Sequence, residues 1–204
     1  DGIPFPVFSY AALVPWTYFS TALTKSTDSL VANIGVFTKV YFPRLLIPIT
    51  PVISGLLDFF ISITILFFLM AWYGIYPTIN ILWAPLLILI MVMTSTGVGL
   101  WLSSLSIQYR DVRFAIQFLV QLLMYAAPVV WPISILVEKY GDEVILYYGL
   151  YPMVGVIEGF RSCLIGLNPM PWSLIILGMI SSFFLFISGC YYFTKKERMF
   201  ADVA

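Results

Sequence analysis

The stretch SLSIQYRDVRFAIQF, Ser104 to Phe118, sets Arg110, Asp111 and Arg113 between two long apolar runs in a chain whose charged residues make up only 10%. Arg110 and Arg113 share a face if this turn is helical, with Asp111 alongside. Such a group either anchors a loop on one side of a membrane or forms a fixed polar cluster at the mouth of a passage or against a partner. Asp58 is a second candidate. It lies ~14 residues past Arg44, hence ~20 Å along a helix and near mid-bilayer. An intramembrane carboxylate is costly and faces a bundle interior or a wet cavity. It is either a partner for the hydroxyls of Ser54, Ser62 or Thr64, or a pathway group. Glu158 and Arg161, at i,i+3 spacing, form a third candidate: an ion pair, or part of a lid over a pathway. The fourth is KVYFPRLLIP, Lys39 to Pro48, a short basic and aromatic break. It reads as an interfacial anchor or as a docking element preceded by a surface helix ending near Lys39.

Other chemistry is excluded. The chain has no histidine, which removes His-based catalysis and the commonest metal ligand. Cys163 and Cys190 lie in separate segments without metal-ligand spacing and read as small apolar packing residues. Neither a G-x-x-x-x-G-K-[ST] phosphate loop nor a G-x-S-x-G elbow is present, so no familiar motif here hydrolyses ATP. Net charge is zero and offers no basic field for nucleic acid.

The elements that must hold these groups are membrane helices. The 204 residues are 61% hydrophobic and 18% aromatic, with mean hydropathy +0.99. Soluble domains run near 45–50% apolar and about 25% charged. Runs at Val7 to about Thr24, Leu45–Trp72, Ile79–Ile107, Phe114–Trp131 and Trp172–Phe193 give about five spans. They do not alternate in polarity, so the fold class is an all-α integral membrane protein, with short amphipathic helices half-sunk in the outer segment around Val154, Ile157, Phe160 and Ile165. Ser95, Gly99 and Ser103 form a small-residue stripe for close helix packing, with Gly97 nearby.

Orientation follows from the basic breaks. Lys39 and Arg44, Arg110 and Arg113, and Lys195, Lys196 and Arg198 fall on one side, expected to be cytoplasmic. Trp72, Tyr73, Tyr76, Trp131 and Trp172 mark the outer boundary, and Tyr109, Tyr191 and Tyr192 the inner one. The chain opens on Asp1 in a loop-like DGIPFP stretch placed outside, so a preceding span is expected to be missing from a native protein of about six.

Five stretches in order carry a resemblance: FSYAALVPWTYFSTAL (Phe8–Leu23), N-x-x-x-x-x-K-V-Y-F-P-R (Asn33–Arg44), Y-R-D-V (Tyr109–Val112), P-M-V-G-V-I-E-G-F-R (Pro152–Arg161) and E-R-M-F-A-D-V (Glu197–Val203). Together they resemble the permease subunit of type 2 ABC exporters, and within it the branch that exports polysaccharides: O-antigen, capsule and teichoic acid. The resemblance implies that residues 1–204 are a single transmembrane permease domain lacking its first span and an N-terminal interfacial helix. It implies a bacterial cytoplasmic (inner) membrane location. The coupling element toward an ATP-binding subunit falls on Asn33, Lys39, Tyr41, Phe42 and Arg44, the cytoplasmic entrance on Tyr109, Arg110, Asp111 and Arg113, and the outer gate on Pro152, Glu158 and Arg161. Tyr151 stands where the resemblance leads one to expect asparagine.

The implied partners are an ATP-binding cassette subunit, which would bring ATP and Mg, a second copy of the permease, a lipid-linked glycan and membrane lipid. No cofactor is bound by the chain itself and no nucleic acid is involved. Sugar rings have apolar faces, so Trp16, Tyr18, Phe19 and Tyr125 are candidates for lining a channel or for plain packing. Two classes of rival remain. An exporter of the same fold moving a drug, lipid or peptide differs only in its lining. A membrane-embedded transferase or an ion-coupled carrier needs more intramembrane polar groups than Asp58 supplies.

Overall fold

The computed structural model describes residues 4–37, 43–131, 133, 138, 141, 143–166 and 169–197, and its regular elements are helices throughout these. In chain order they are α1 (Phe5–Ala32), the single turn α2 (Ile34–Phe37), α3 (Leu46–Trp72), a 3₁₀ turn (Ile79–Trp83), α4 (Ala84–Gln108), α5 (Val112–Ala126), α6 (Glu143–Gly149), α7 (Pro152–Ile165) and α8 (Trp172–Glu197). The chain is an all-α, multi-pass membrane protein. Three stretches among the described residues have the length and apolarity to cross a bilayer: Leu46–Trp72, Ile79–Gln108 and Trp172–Glu197. At 28 residues α1 is also long enough, ~42 Å, but it is more polar. At 15 residues α5 is ~22 Å, short of the ~30 Å hydrocarbon core.

That shortness departs from the expected span to Trp131, and Pro128 explains it. A residue before proline avoids helical geometry, and Ala127 sits at φ −82°, ψ 148°. The helix therefore stops at Ala126. Conversely, α1 runs past the expected end near Thr24 to Ala32, because its polar residues fold back onto the helix. Thr24 and Thr27 Oγ1 each donate to the carbonyl four residues earlier, at 2.8 Å. Asn33 then ends α1 by donating its side-chain amide to Ser29 O at 2.8 Å, taking up one of the free last-turn carbonyls. The C-terminus of α3 is closed by Gly74 at φ +69°, which lets Ile75 N–H return to Met70 O at 2.9 Å. This 6→1 bond needs a left-handed residue, and glycine adopts it without cost.

Packing is closest between α4 and α8 and between α1 and both α3 and α4. A Cβ on Gly97 of α4 would lie 2.5 Å from the Leu185 backbone carbon of α8, and Gly189 faces the Gly97 backbone. Gly99 rests against Ser26 of α1, and Ser106 Oγ donates to Thr27 O at 2.8 Å. Gly97 thus brings α4 backbone to backbone with α8, while Gly99 of the small-residue stripe packs close to α1, as small residues do in membranes.

α7 is enclosed rather than half-sunk. Every residue from Pro152 to Leu164 is buried, between α1, α4 and α8. A Cβ on Gly155 would meet Leu174 O at 2.6 Å, and one on Gly159 would meet Leu87. These two glycines let the neighbours close over a helix that its charges had suggested lay at an interface. Tyr151 occupies the N-cap and makes no side-chain cap bond, a bond that an asparagine there supplies. Pro152 at the first position removes one of the N–H groups that would need it.

Candidate functional site: two ends and a polar face

The basic breaks gather at one end of the bundle. Arg44 Nη1 donates to Glu197 O at 2.8 Å, placing a guanidinium on the C-terminal carbonyls of α8, where the helix dipole favours a cation. Beneath it Leu30, Ile47, Leu100, Ile107 and Phe193 form a small apolar cluster. Asn33 is exposed at the same end. Lys39, Tyr41 and Phe42, and Arg198 with the rest of the tail, lie outside the described residues.

The entrance cluster does not act as one unit. Tyr109, Arg110 and Asp111 are exposed on the turn between α4 and α5, whereas Arg113 is half-buried at the start of α5. No ion pair among the described residues joins the three charges. Three polar atoms near this end, Asp28 Oδ1, Gln108 Nε2 and Arg113 Nε, are buried without a hydrogen-bond partner among the described residues.

At the opposite, tryptophan-bearing end the sequence candidates do converge. Arg161 Nη1 donates to Glu158 Oε1 at 2.9 Å, and Nη2 donates to Val129 O at 2.6 Å. Its guanidinium carbon lies 3.9 Å from the centre of the Phe8 ring of α1. Glu158 also accepts from the Ile133 backbone N–H. Carbonyls freed where α5 stops must be satisfied inside a membrane protein, and Arg161 takes the one at Val129. One residue thus ties α7, the Pro128 break and α1 together. Burial pushes the Glu158 carboxyl up and the Arg161 guanidinium down from their ordinary values, while the pairing pulls each back. Nearby, Trp83 and Trp172 meet edge to face at 4.8 Å, and Trp131 meets Tyr148 at 6.1 Å.

Between the two ends lies a polar face that the reading of the sequence missed. At 3.6 residues per turn, Tyr10, Leu13, Thr17, Ser20, Thr21, Thr24 and Asp28 share one side of α1, and it is the side left wholly or partly accessible. On α5 only Ile116 and Val120 are buried. Its open face carries Gln117 and Gln121 with Phe114, Phe118 and Tyr125, the three aromatics 68%, 63% and 72% exposed. The two faces are at one depth. The Phe8–Arg161–Val129 contact joins the outer ends of α1 and α5. Nine residues inward of Phe8, ~14 Å, is Thr17, and nine residues inward of Val129 is Val120, which lies between Gln117 and Gln121. The recoverable signal was hydroxyls and amides recurring every three or four residues within apolar runs. Of the aromatic candidates only Tyr125 is accessible. Trp16, Tyr18 and Phe19 are 4%, 5% and 2% exposed, and Tyr18 O–H donates to Val52 O at 2.9 Å, so they pack the core and line nothing.

Among the described residues, Asp58 is not paired with hydroxyls inside the bundle. It is exposed on α3, and the hydroxyls proposed as its partners are otherwise engaged. Ser54, Ser62 and Thr64 each donate to a carbonyl of their own helix. A carboxylate facing hydrocarbon at mid-bilayer costs ~2.5–3.5 kcal/mol on insertion scales.

Comparison with known proteins agrees with this architecture. No protein-family model matches the chain. It is 27% identical over 158 residues to the O-antigen export system permease protein RfbA of Myxococcus xanthus, a match covering 78% of this chain and 60% of that protein. It is 26% identical over 200 residues to the protein of the same name from Klebsiella pneumoniae, covering 98% and 75%. To the polysialic acid transport protein KpsM of Escherichia coli it is 29% identical over 203 residues, covering 97% and 76%. The chain thus spans three-fifths to three-quarters of the length of the relatives it matches.

Proposed function

We propose that this chain, similar to these permease relatives, is a permease subunit of the polysaccharide-export branch of the type 2 ABC exporters and passes a lipid-linked polysaccharide through the face formed by α1 and α5. The observation that carries the reading is the hydroxyl stripe of α1 set at the depth of the amide and aromatic stripe of α5. Amides and hydroxyls exchange hydrogen bonds with sugar hydroxyls, and aromatic rings stack on the apolar faces of pyranoses. The hydroxyls of Ser20 and Thr24 return to their own helix, but Gln117 and Gln121 are exposed, with no side-chain hydrogen bond among the described residues. Amides left unsatisfied against lipid are costly, so this face belongs against a passage.

In this reading two copies of the chain enclose the passage and sit in the bacterial cytoplasmic membrane. The basic end faces the cytoplasm and receives two ATP-binding subunits, which hold ATP and Mg. Asn33, Lys39, Tyr41, Phe42 and Arg44 form the coupling element. Tyr109, Arg110, Asp111 and Arg113 form the entrance. Pro152, Glu158 and Arg161 form the outer gate, whose buried ion pair keeps α7 fixed against the α5 break until ATP-driven movement shifts α1.

The test is co-expression of the full-length parent with the product of a neighbouring ATP-binding gene, followed by purification in detergent. A complex that co-elutes, hydrolyses ATP and loses coupled activity on Lys39→Glu with Arg44→Glu supports the reading. A chain that elutes alone and gains nothing from the ATPase overturns it.

A further inference from the structure

Asp58 is left unexplained by the packing of the chain, and its position on α3 says what it faces. The core side of α3 is Val52, Phe59, Leu66 and Met70. On one flank Leu56, Ile63 and Phe67 pack against the main core. On the other flank, at 3.6 residues per turn, lie Ser54, Asp58 and Ser62. Gly55 sits between this flank and the core side, and a Cβ there would lie 3.3 Å from the Tyr18 ring of α1. Tyr18 is one residue from Thr17, and Phe59, next to Asp58, meets the Tyr18 ring at 5.7 Å. The Asp58 flank therefore borders the open side of α1, at about the depth of Thr17. Beyond it, Leu57, Ile61 and Phe68, 68%, 61% and 73% exposed, turn away.

We propose that Asp58 faces the same water-filled groove as Thr17, walled on its far side by Gln117 and Gln121, and that this groove takes uncharged, hydroxyl-rich sugar rings in preference to acidic ones. The identity of the ligand rests on the export reading; the groove and its charge do not. A carboxylate only accepts hydrogen bonds, and sugar hydroxyls donate them. A uronic or sialic carboxylate at the same depth meets a like charge instead, and the nearest cations on α1 and α5, Lys25 and Arg113, lie eight residues inward of Thr17 and four inward of Gln117, ~12 Å and ~6 Å along their helices.

The experiment places a reporter cysteine in the full-length protein in membrane vesicles: Thr17→Cys, with Ser20→Cys as a second reporter on the same face. Each is treated with a cationic or an anionic methanethiosulfonate, and modification is read by mass spectrometry at the reporter, which separates it from Cys163 and Cys190. After correction for intrinsic reactivity, the cationic reagent is expected to react about five-fold faster, the scale of one nearby charge in a wet site. Asp58→Asn should bring that ratio to one, and Leu57→Cys should stay unmodified. A ratio that Asp58→Asn leaves unchanged overturns the role of Asp58 while leaving the export reading standing. Reporters that neither reagent reaches overturn the groove and with it the α1–α5 passage, but not the coupling to an ATPase, which the co-expression test decides. A charged groove in a chain that does not couple to an ATPase has the opposite meaning. In the second arm a neutral maltoheptaose should slow reporter labelling and an oligosialic acid of equal length should not. Equal slowing by both, or by neither, overturns the sugar preference.

Discussion

Glu158 of α7 and Asp58 of α3 are both carboxylates set in mostly apolar helices, and their surroundings are opposite. Glu158 is 8% exposed and bonded to Arg161 at 2.9 Å, inside a helix covered on every side. Asp58 is exposed on a helix whose outward side is Leu57, Ile61 and Phe68, and its side chain has no hydrogen bond or ion pair among the described residues. A charge taken into the protein must be completed there by a partner and by hydrogen bonds, so it becomes part of what holds helices together. A charge left on the surface of a membrane helix contributes little to that chain's own packing, so its reason lies in something the helix meets.

The comparison breaks most visibly at Arg161. Arg161→Ala leaves Glu158 buried and unpaired and uncaps Val129 O, and should lower stability by about 3–5 kcal/mol in chemical denaturation of the detergent-solubilised protein. Adding Glu158→Gln should recover part of that loss, so the double variant is less damaged than the sum of the singles. A loss under about 1 kcal/mol would mean that the pair behaves like a surface ion pair and that the contrast with Asp58 is false.

Next is Gly97→Ala, whose methyl meets the α8 backbone at 2.5 Å. The helices must separate, at a cost of about 1–3 kcal/mol in the same assay. Unchanged stability would show that α4 and α8 are not backbone to backbone. Phe8→Leu keeps an apolar side chain but removes the ring beneath Arg161, and should cost about 0.5–2 kcal/mol, a loss that vanishes in the Arg161→Ala background if the ring acts through the guanidinium. The smallest effect sharpens the contrast from the other side. Asp58→Asn should change stability by no more than about 0.5 kcal/mol while altering the charge sensed at residue 17. A large loss would show that Asp58 holds the bundle together after all.

The class of this protein was readable from composition and run length, and so were the places where chemistry concentrates. Glu158 and Arg161 were legible as a pair because i,i+3 spacing on a helix is local geometry. Their burial was not, because it depends on Gly155 and Gly159 admitting α8 and Leu87, and those neighbours come from far along the chain. The end of α5 was signalled by Pro128 and overlooked amid an apolar run. The α1 stripe was written at helical spacing, yet hydrophobicity alone hides threonine and serine, which return their hydroxyls to the helix and so tolerate membrane positions.

By itself the sequence determined an all-helical membrane protein with its charges at the breaks, since apolar run length and local spacing depend only on neighbouring residues. Which side of each helix is covered was decided by tertiary structure alone. Trp16, Tyr18 and Phe19 went into the core and Tyr125 outward, Glu158 was sealed in and Asp58 left open. Those outcomes turn on which helices approach closely enough to exclude what lies outside, and closeness is a property of pairs of distant segments, set here by glycines meeting backbone.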